Sequence, residues 1–329
     1  MKNINNAIEK LLSESISNSI KYNLTEILKR NNIHYIMIDI DCEVPNSISE
    51  NLEQKILTEL NIQSRVCFIQ NHSTAKHKKN QNSKKAIDGV KKVIMVCSGK
   101  GGVGKSTISS IIAYCLNMQG FRVGLFDADI YGPSITKIFD VNQEVLIDDG
   151  KFIPHEKYGI KLMSMGFIVQ SNDALIWRGP MVSKTLHNML MHTKWYTKNC
   201  IGMKTELDYL IIDTPPGTGD VHLSLIENYF IDGAILVSTP QELAISNTHR
   251  SFTMLKKLNI KLFGMIENMA YIENENGTKN YIFGQNNVNQ YALSHNMQLL
   301  AQIPIIQNIN LTKDLHYIKI LSKVLEKIF

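Results

Sequence analysis

The chain predicts an α/β fold, a doubly wound parallel sheet preceded by a smaller α/β module, and three observations predict it. From Lys91 onward, short apolar runs at 93–97, 122–126, 160–165, 209–212, 234–238, 262–266 and 299–303 alternate with longer helical patterns. Continuous apolar strands separated by helices describe a parallel sheet covered on both faces. Residues 71–90 (NHSTAKHKKNQNSKKAIDGV) hold almost no large apolar side chain, so they cannot bury enough surface to offset ordering entropy and read as a flexible basic linker. Residues 1–70 read as helix, strand, helix, strand: a polar helical start, a strand at 33–40, a periodic stretch at 47–60 and a strand at 65–70. The predicted division is therefore a small α/β domain at 1–70, a linker at 71–90 and a larger domain at 91–329.

Composition narrows the function classes. With 329 residues, 44% hydrophobic and 20% charged, neither a disordered nor a fibrous chain fits. No stretch approaches the ~20 apolar residues that span a bilayer, and the first ten residues lack a basic-then-apolar secretory pattern, so a cytoplasmic protein is expected. The five cysteines, Cys42, Cys67, Cys97, Cys115 and Cys200, are scattered and never spaced C-x-x-C, which argues against a disulfide framework and against a local zinc site. Residues 71–92 carry seven lysines against one aspartate, or +6 of a net +5, leaving about −1 elsewhere. The positive charge belongs to the linker, and no nucleic-acid partner is expected.

The apolar run at 93–97 leads straight into Ser98, Gly99, Lys100, Gly101, Gly102, Val103, Gly104, Lys105, Ser106 and Thr107, and then into a helical pattern. This satisfies G-x-x-x-x-G-K-[ST] from Gly99 to Ser106 in the required strand-to-helix setting. Glycines let main-chain N–H groups wrap a phosphate, and the following helix aims its positive end at the same anion. Lys105 would meet the β/γ-phosphates, and Ser106 would put a hydroxyl on Mg²⁺. Lys100 is an extra cation near the loop's start. It is better placed to reach a nucleotide held by a facing subunit, as an arginine finger does, than to fold back beside Lys105; a solvent-exposed surface lysine is the plainer account.

KGGVGKST (100–107), DADIYGPS (127–134), WRGPM (177–181), DTPPGTGD (213–220), TPQE (239–242) and ENM (267–269) together resemble the signatures of Mrp/ApbC-type iron–sulfur cluster carrier ATPases. That family belongs to the deviant-Walker-A P-loop group of MinD, ParA and the nitrogenase iron protein. The resemblance covers essentially all of residues 91–329. It implies a P-loop ATPase using Mg-ATP, working as a homodimer and passing an iron–sulfur cluster, 4Fe–4S in the family, to apo iron–sulfur proteins or assembly scaffolds.

Asp213 ends the 209–212 strand run, where a parallel sheet presents ligands, and can hold Mg²⁺ through water. Gly217, in the segment after it, can place a backbone N–H on the γ-phosphate. Asp127 and Asp129 close the 122–126 strand two residues apart, so they share one face if strand geometry continues. By resemblance they form the first switch, one orienting the attacking water and the other supporting the metal; an Asx turn helped by Gly132 and Pro133 is the competing account. Asn268 would read the adenine edge by resemblance, its amide offering a donor and an acceptor. Arg178 is left without a role, as a phosphate contact or a partner of Trp177.

The chain departs from the family where it matters for the cargo. The C-x-x-C pair that normally follows ENM-[SA]-Y is replaced by Tyr271-Ile272-Glu273-Asn274-Glu275-Asn276-Gly277, without a cysteine. Oxygen ligands are poor substitutes for thiolates in holding such a cluster. Three explanations stay open: other cysteines bind it, a partner supplies the ligands, or the ATPase works without it. Cys97 and Cys115 read as core residues, and Cys200 has the better claim to exposure. Asn247 replaces the family's aspartate beyond TPQE, and the N-terminal module has a MIP18-like layout without its D-P-E signature. The cysteine loss also weighs against a redox role like that of the nitrogenase iron protein. A MinD/ParA-like positioning ATPase is the alternative, supported by a C-terminal amphipathic helix at 313–329 that a membrane could bind; docking on the sheet is the plainer reading.

Overall fold

The computed structural model describes residues 2–16, 20–30, 33–40, 46–70, 84–130, 132–168, 179–198, 203–274, 276–305 and 315–326. Trp177, Arg178, Cys42, Cys200 and most of the linker lie outside them.

The N-terminal region runs α1 (Lys2–Ser15), β1 (Tyr22–Arg30), β2 (Ile33–Ile40), α2 (Asn46–Leu60) and β3 (Gln63–Gln70). β1 pairs antiparallel with β2, and β2 parallel with β3. The strand β1 corrects the sequence reading, which has no strand there. Its Leu, Glu, Lys and Arg suit a helix, and a register shift between Leu24 and Glu26 breaks the alternation that signals a strand, yet pairing with β2 prevails. β2 then sorts its side chains by parity. Ile36, Ile38 and Ile40, with Val66, pack with Ile8, Leu12, Leu52 and Ile56 of the two helices. Tyr35, Met37 and Cys67 point the other way and join the main core. There the Tyr35 hydroxyl donates to the Val145 carbonyl at 3.4 Å, the Cys67 thiol to the Gly150 carbonyl at 2.8 Å, and Asn188 Nδ2 lies 3.9 Å from Met37 Sδ.

The larger part begins with β4 (Val90–Ser98), α3 (Lys105–Met118), β5 (Val123–Asp127), the short α4 (Ile135–Ile138) and a hairpin of β6 (Leu146–Asp148) and β7 (Lys151–Ile153). It continues through β8 (His155–Lys157), β9 (Ile160–Ser164), α5 (Gly179–Met191), a small pair of β10 (Thr197–Lys198) and β11 (Lys204–Thr205), β12 (Leu207–Asp213), α6 (Asp220–Asn228), β13 (Gly233–Ser238) and α7 (Glu242–Lys257). β14 (Leu262–Glu267), a hairpin of β15 (Ile272–Glu273) and β16 (Lys279–Asn280), α8 (Asn287–Ser294), β17 (Leu299–Gln302) and α9 (Leu315–Leu325) complete it.

Eight strands form one sheet in the order β17-β14-β13-β4-β12-β5-β9-β8. All pair in parallel except β8, which runs antiparallel to β9. The seven strands predicted from apolar runs are all present, because residues such as Ile94, Met95, Val96, Leu210, Ile211 and Ile212 are buried whichever face they point to. β8, with the sequence His-Glu-Lys on the sheet edge, has no apolar run to announce it. The carboxyl ends of β4, β12 and β5 lie side by side, which is where an open α/β sheet builds its crevice.

α9 buries Ile318, Leu321 and Leu325 and packs on α3, where the Cys115 thiol reaches the Ile318 carbonyl at 3.6 Å and Gln119 Nε2 donates to the Ser322 carbonyl at 3.2 Å. Lys319 and Lys323 point to solvent. Among the described side chains of this helix, Ile318, Leu321 and Leu325 are therefore already covered by the protein. Among the described residues, no helix is long and apolar enough to cross a membrane.

Candidate nucleotide site

The strand β4 delivers the glycine-rich loop, and two of its glycines are demanded by close approach. A Cβ on Gly99 would stand 2.1 Å from the Asn247 backbone of α7; one on Gly104, at φ +81°, would stand 2.2 Å from Asn268 Nδ2. The loop is thus clamped between α7 and the residue that follows β14.

Lys105 opens α3 and folds its ammonium back to Asp213 at the end of β12, Nζ to Oδ1 at 2.6 Å, with both side chains buried. The Ser109 hydroxyl donates to the same oxygen at 2.7 Å. Oδ2 of Asp213 is buried with no hydrogen-bond partner. A buried charge is tolerated only when paired, so this lysine can leave Asp213 only for another strong anion. Ser106 and Thr107 follow on the first turn of α3, half-buried.

Asp127 ends β5 opposite Asp213 in the register of the sheet. Its Oδ1 accepts the Asp129 N–H at 3.1 Å, and its Oδ2 accepts the Ser134 N–H at 3.2 Å and the Ser164 hydroxyl at 3.0 Å. Burial, and next the negative charge of Asp213, push the Asp127 carboxyl up to about 7, against the pull of Lys105. Asp129 lies beyond the strand and its Oδ1 accepts the Gly132 N–H at 3.2 Å. Strand geometry stops at Asp127, so the two carboxylates do not share a strand face as the spacing had suggested. The turn expected from Gly132 is present, and Asp127 braces the start of α4.

The remaining predicted residues take up positions around the loop. Lys100 is half-buried, its Nζ donating to Gln241 Oε1 at 3.2 Å, which gives the TPQE segment a contact the sequence did not announce. Gly101 and Gly102 are exposed, and Val103 is buried. The Gly217 N–H, expected on a phosphate, donates to the Ser98 carbonyl at 2.8 Å. The Asn268 amide, expected on adenine, donates to the Val103 carbonyl at 2.8 Å and so holds the loop. Ser109, Gln241, Thr214 and His222 were missed. Only Gln241 and Thr214 stood in a noticed motif, and nothing in a serine of a helix or a histidine two residues beyond DTPPGTGD marks its tertiary partner.

No thiolate stands ready among the described cysteines. Cys67, Cys97 and Cys115 are buried and free, and burial pushes their thiols up to about 12, about 12 and about 11. At the stretch after ENM, where the resemblance led to an expected C-x-x-C pair, the chain forms the β15–β16 hairpin, with Ile272, Glu273, Lys279 and Asn280 exposed. Among the described residues, no group of three or more His, Cys, Asp or Glu side chains could hold a metal ion.

Comparison with known proteins adds the following. The model of the ParA family described as NUBPL iron-transfer P-loop NTPase matches residues 89–326. An iron-sulfur cluster carrier protein of Rickettsia felis is 43% identical over 287 residues, 86% of this chain and 83% of that protein. An iron-sulfur cluster transfer protein NUBPL of Dictyostelium discoideum is 39% identical over 250 residues, 75% of each chain. Among solved structures, a nucleotide-binding protein from Archaeoglobus fulgidus in complex with ADP is 34% identical with a TM-score of 0.57, covering 73% of this chain and 90% of that one.

Proposed function

Because this chain belongs to the ParA/NUBPL family of iron-transfer P-loop NTPases, we propose that it hydrolyses Mg-ATP as a homodimer in the cytoplasm and passes iron–sulfur clusters, 4Fe–4S among them, to apoproteins or assembly scaffolds. The observation that carries the nucleotide half is the buried Lys105–Asp213 pair at the glycine-rich loop, with Asp213 Oδ2 left unpartnered. Triphosphate and Mg²⁺ together supply what that arrangement lacks. On nucleotide binding Lys105 would exchange Asp213 for the β/γ-phosphate oxygens, and Asp213 and the Ser106 hydroxyl would be the residues that hold Mg²⁺, which would neutralise phosphate charge there. Each charge leaves one partner for another, and neither is stranded.

The other groups follow from where they start. Gly99, Gly101, Gly102, Val103, Gly104 and Thr107 line the phosphates with main-chain N–H groups. Gly217 gives up the Ser98 carbonyl for the γ-phosphate, and Asn268 gives up Val103 for the adenine edge. Asp127 and Asp129 form the first switch, with Asp127 the buried one beside Asp213. Lys100 leaves Gln241 for the nucleotide of the facing subunit, where it neutralises charge that develops as the γ-phosphate departs.

The cluster is cargo, and its ligands are not Cys67, Cys97 or Cys115. Ligation falls to Cys42 or Cys200, outside the described residues, or to a partner protein. We assign residues 1–70 to a small α/β domain of MIP18-like layout and place the start of the ATPase domain ahead of the expected boundary at 91, because Lys85 pairs with Asn228, Ile87 enters the main core and β4 opens at Val90. Anaerobic reconstitution with iron and sulfide, followed by transfer to an apo-acceptor with and without ATP, tests the whole reading. Cluster absorbance and ATP-dependent transfer are expected; absence of both under conditions that load a C-x-x-C relative would sink the carrier reading.

A further inference from the structure

We propose that His222 is a positioning residue for nucleotide hydrolysis, fixing Thr214 beside Asp213 as the pivot about which the 214–219 loop swings onto the γ-phosphate. The proposal rests on the nucleotide reading above and adds a residue to it.

The bond from Thr214 to Val96 is the basis for assigning the direction of the contact between Thr214 and His222. Thr214 is buried directly after Asp213, and its hydroxyl donates to the Val96 carbonyl of β4 at 2.8 Å. A hydroxyl has one proton to give, so the 3.1 Å contact between Thr214 Oγ1 and His222 Nε2 is donated by the ring. We assign the Nε2–H tautomer on that bond alone. Burial first, and then the charge of Lys105, lower the ring to about 4 against the opposing pull of the Gly219 carbonyl, so it stays neutral at physiological pH.

The loop after Asp213 is therefore tied to β4 at two places of unequal strength. The inner tie is the chain from His222 through the Thr214 hydroxyl to the Val96 carbonyl, which the Thr214 N–H also reaches at 3.3 Å, and breaking it would leave buried polar groups unpaired. The outer tie to β4 is the main-chain bond from Gly217 to the Ser98 carbonyl, backed only by a long 3.4 Å bond from the Ser251 hydroxyl to the Gly217 carbonyl, and this is the N–H that the γ-phosphate competes for. The outer tie opens on nucleotide binding and the inner one holds. Because His222 lies on the first turn of α6, its ring also fixes where that helix starts relative to Asp213. Without it, the carboxylate on the Mg²⁺ side loses its register with the loop.

The test compares His222→Ala, His222→Gln and Thr214→Val in the full-length protein, reading Mg-ATP affinity by calorimetry and hydrolysis by phosphate release. His222→Ala is expected to lower kcat on the order of 10²-fold, as small misplacements at a reacting centre do, with nucleotide affinity unchanged. Glutamine places an uncharged N–H near the position of Nε2 and should restore most of the rate. Thr214→Val should reproduce the loss, and the double variant His222→Ala/Thr214→Val should be no slower than either single one, because both act through one bond. Unchanged kcat in His222→Ala, a loss of affinity in step with kcat, failure of glutamine to rescue, or additive losses would each overturn the proposal. Wild-type protein that takes up no nucleotide would instead overturn the underlying site reading, and this inference with it. If the alanine variant does not fold, the glutamine and valine variants still decide.

Discussion

The glycine-rich loop after β4 and the hairpin after β14 spring from the same sheet and are built by opposite rules. Around the loop, the ionisable groups Lys105, Asp213 and Asp127 are buried and hold one another or main-chain donors at 2.6–3.2 Å. In the β15–β16 hairpin the corresponding side chains point to solvent, and main-chain pairing holds the two strands together. Moving a group at the first place disturbs several others; at the second it disturbs little. The contrast teaches that nucleotide handling is fixed inside the fold, whereas cargo ligation is not part of the described framework.

Replacing Lys105 should give the largest effect. Lys105→Ala removes the partner of a buried carboxylate, which costs about 3–5 kcal/mol, and takes nucleotide binding and turnover with it; thermal melts and calorimetry read both. If the variant kept wild-type stability, the loop would not be the internal device described. Lys100→Ala should be more selective, lowering hydrolysis by about 10³-fold while leaving ATP affinity and melting temperature nearly as they were. Equal turnover in wild type and variant would refute the cross-subunit role.

The pH dependence of the nucleotide-free protein is a smaller and signed effect. Asp127 keeps its proton up to about 7, against an ordinary 3.8, because burial and the Asp213 charge oppose ionisation. The unfolded chain releases that proton first, so this contribution is complete below pH 3.8 and is lost as pH rises toward 7. His222 acts in the reverse sense, its contribution being present above 6.5 and lost as pH falls toward 4. Melting curves of wild type and Asp127→Asn should diverge in slope between pH 4 and 7; parallel curves would contradict the assignment. Smallest of all, alanine at Cys67, Cys97 or Cys115, one at a time, should leave reconstituted cluster content unchanged. A loss at any of the three would return cargo ligation to the core.

Much of this was legible because burial on both sides of a sheet writes itself as uninterrupted apolar sequence. The strands at β4, β12 and β13 are of that kind, and the loop motif sits between a strand and a helix where phosphate chemistry needs it. What was illegible depends on contacts across the chain. Lys100 meets Gln241, and Ser109 meets Asp213, at separations of 141 and 104 residues. No periodicity encodes such meetings. β1 failed for a different reason, since its composition favours a helix and only its neighbour β2 makes it a strand. The state of the loop was equally hidden: sequence named Gly217 and Asn268 by what they would touch with nucleotide present, and could not say that each already has a main-chain partner.

The parity of β2 has a practical consequence for anyone who shortens this molecule. Cutting within 71–90 to obtain the ATPase alone would strip Tyr35, Met37 and Cys67 from a core shared with Val145 and Phe152, baring oily side chains that these three now cover. Such a fragment should clump or need detergent, and the bare stretch would invite artefactual association that mimics dimerisation.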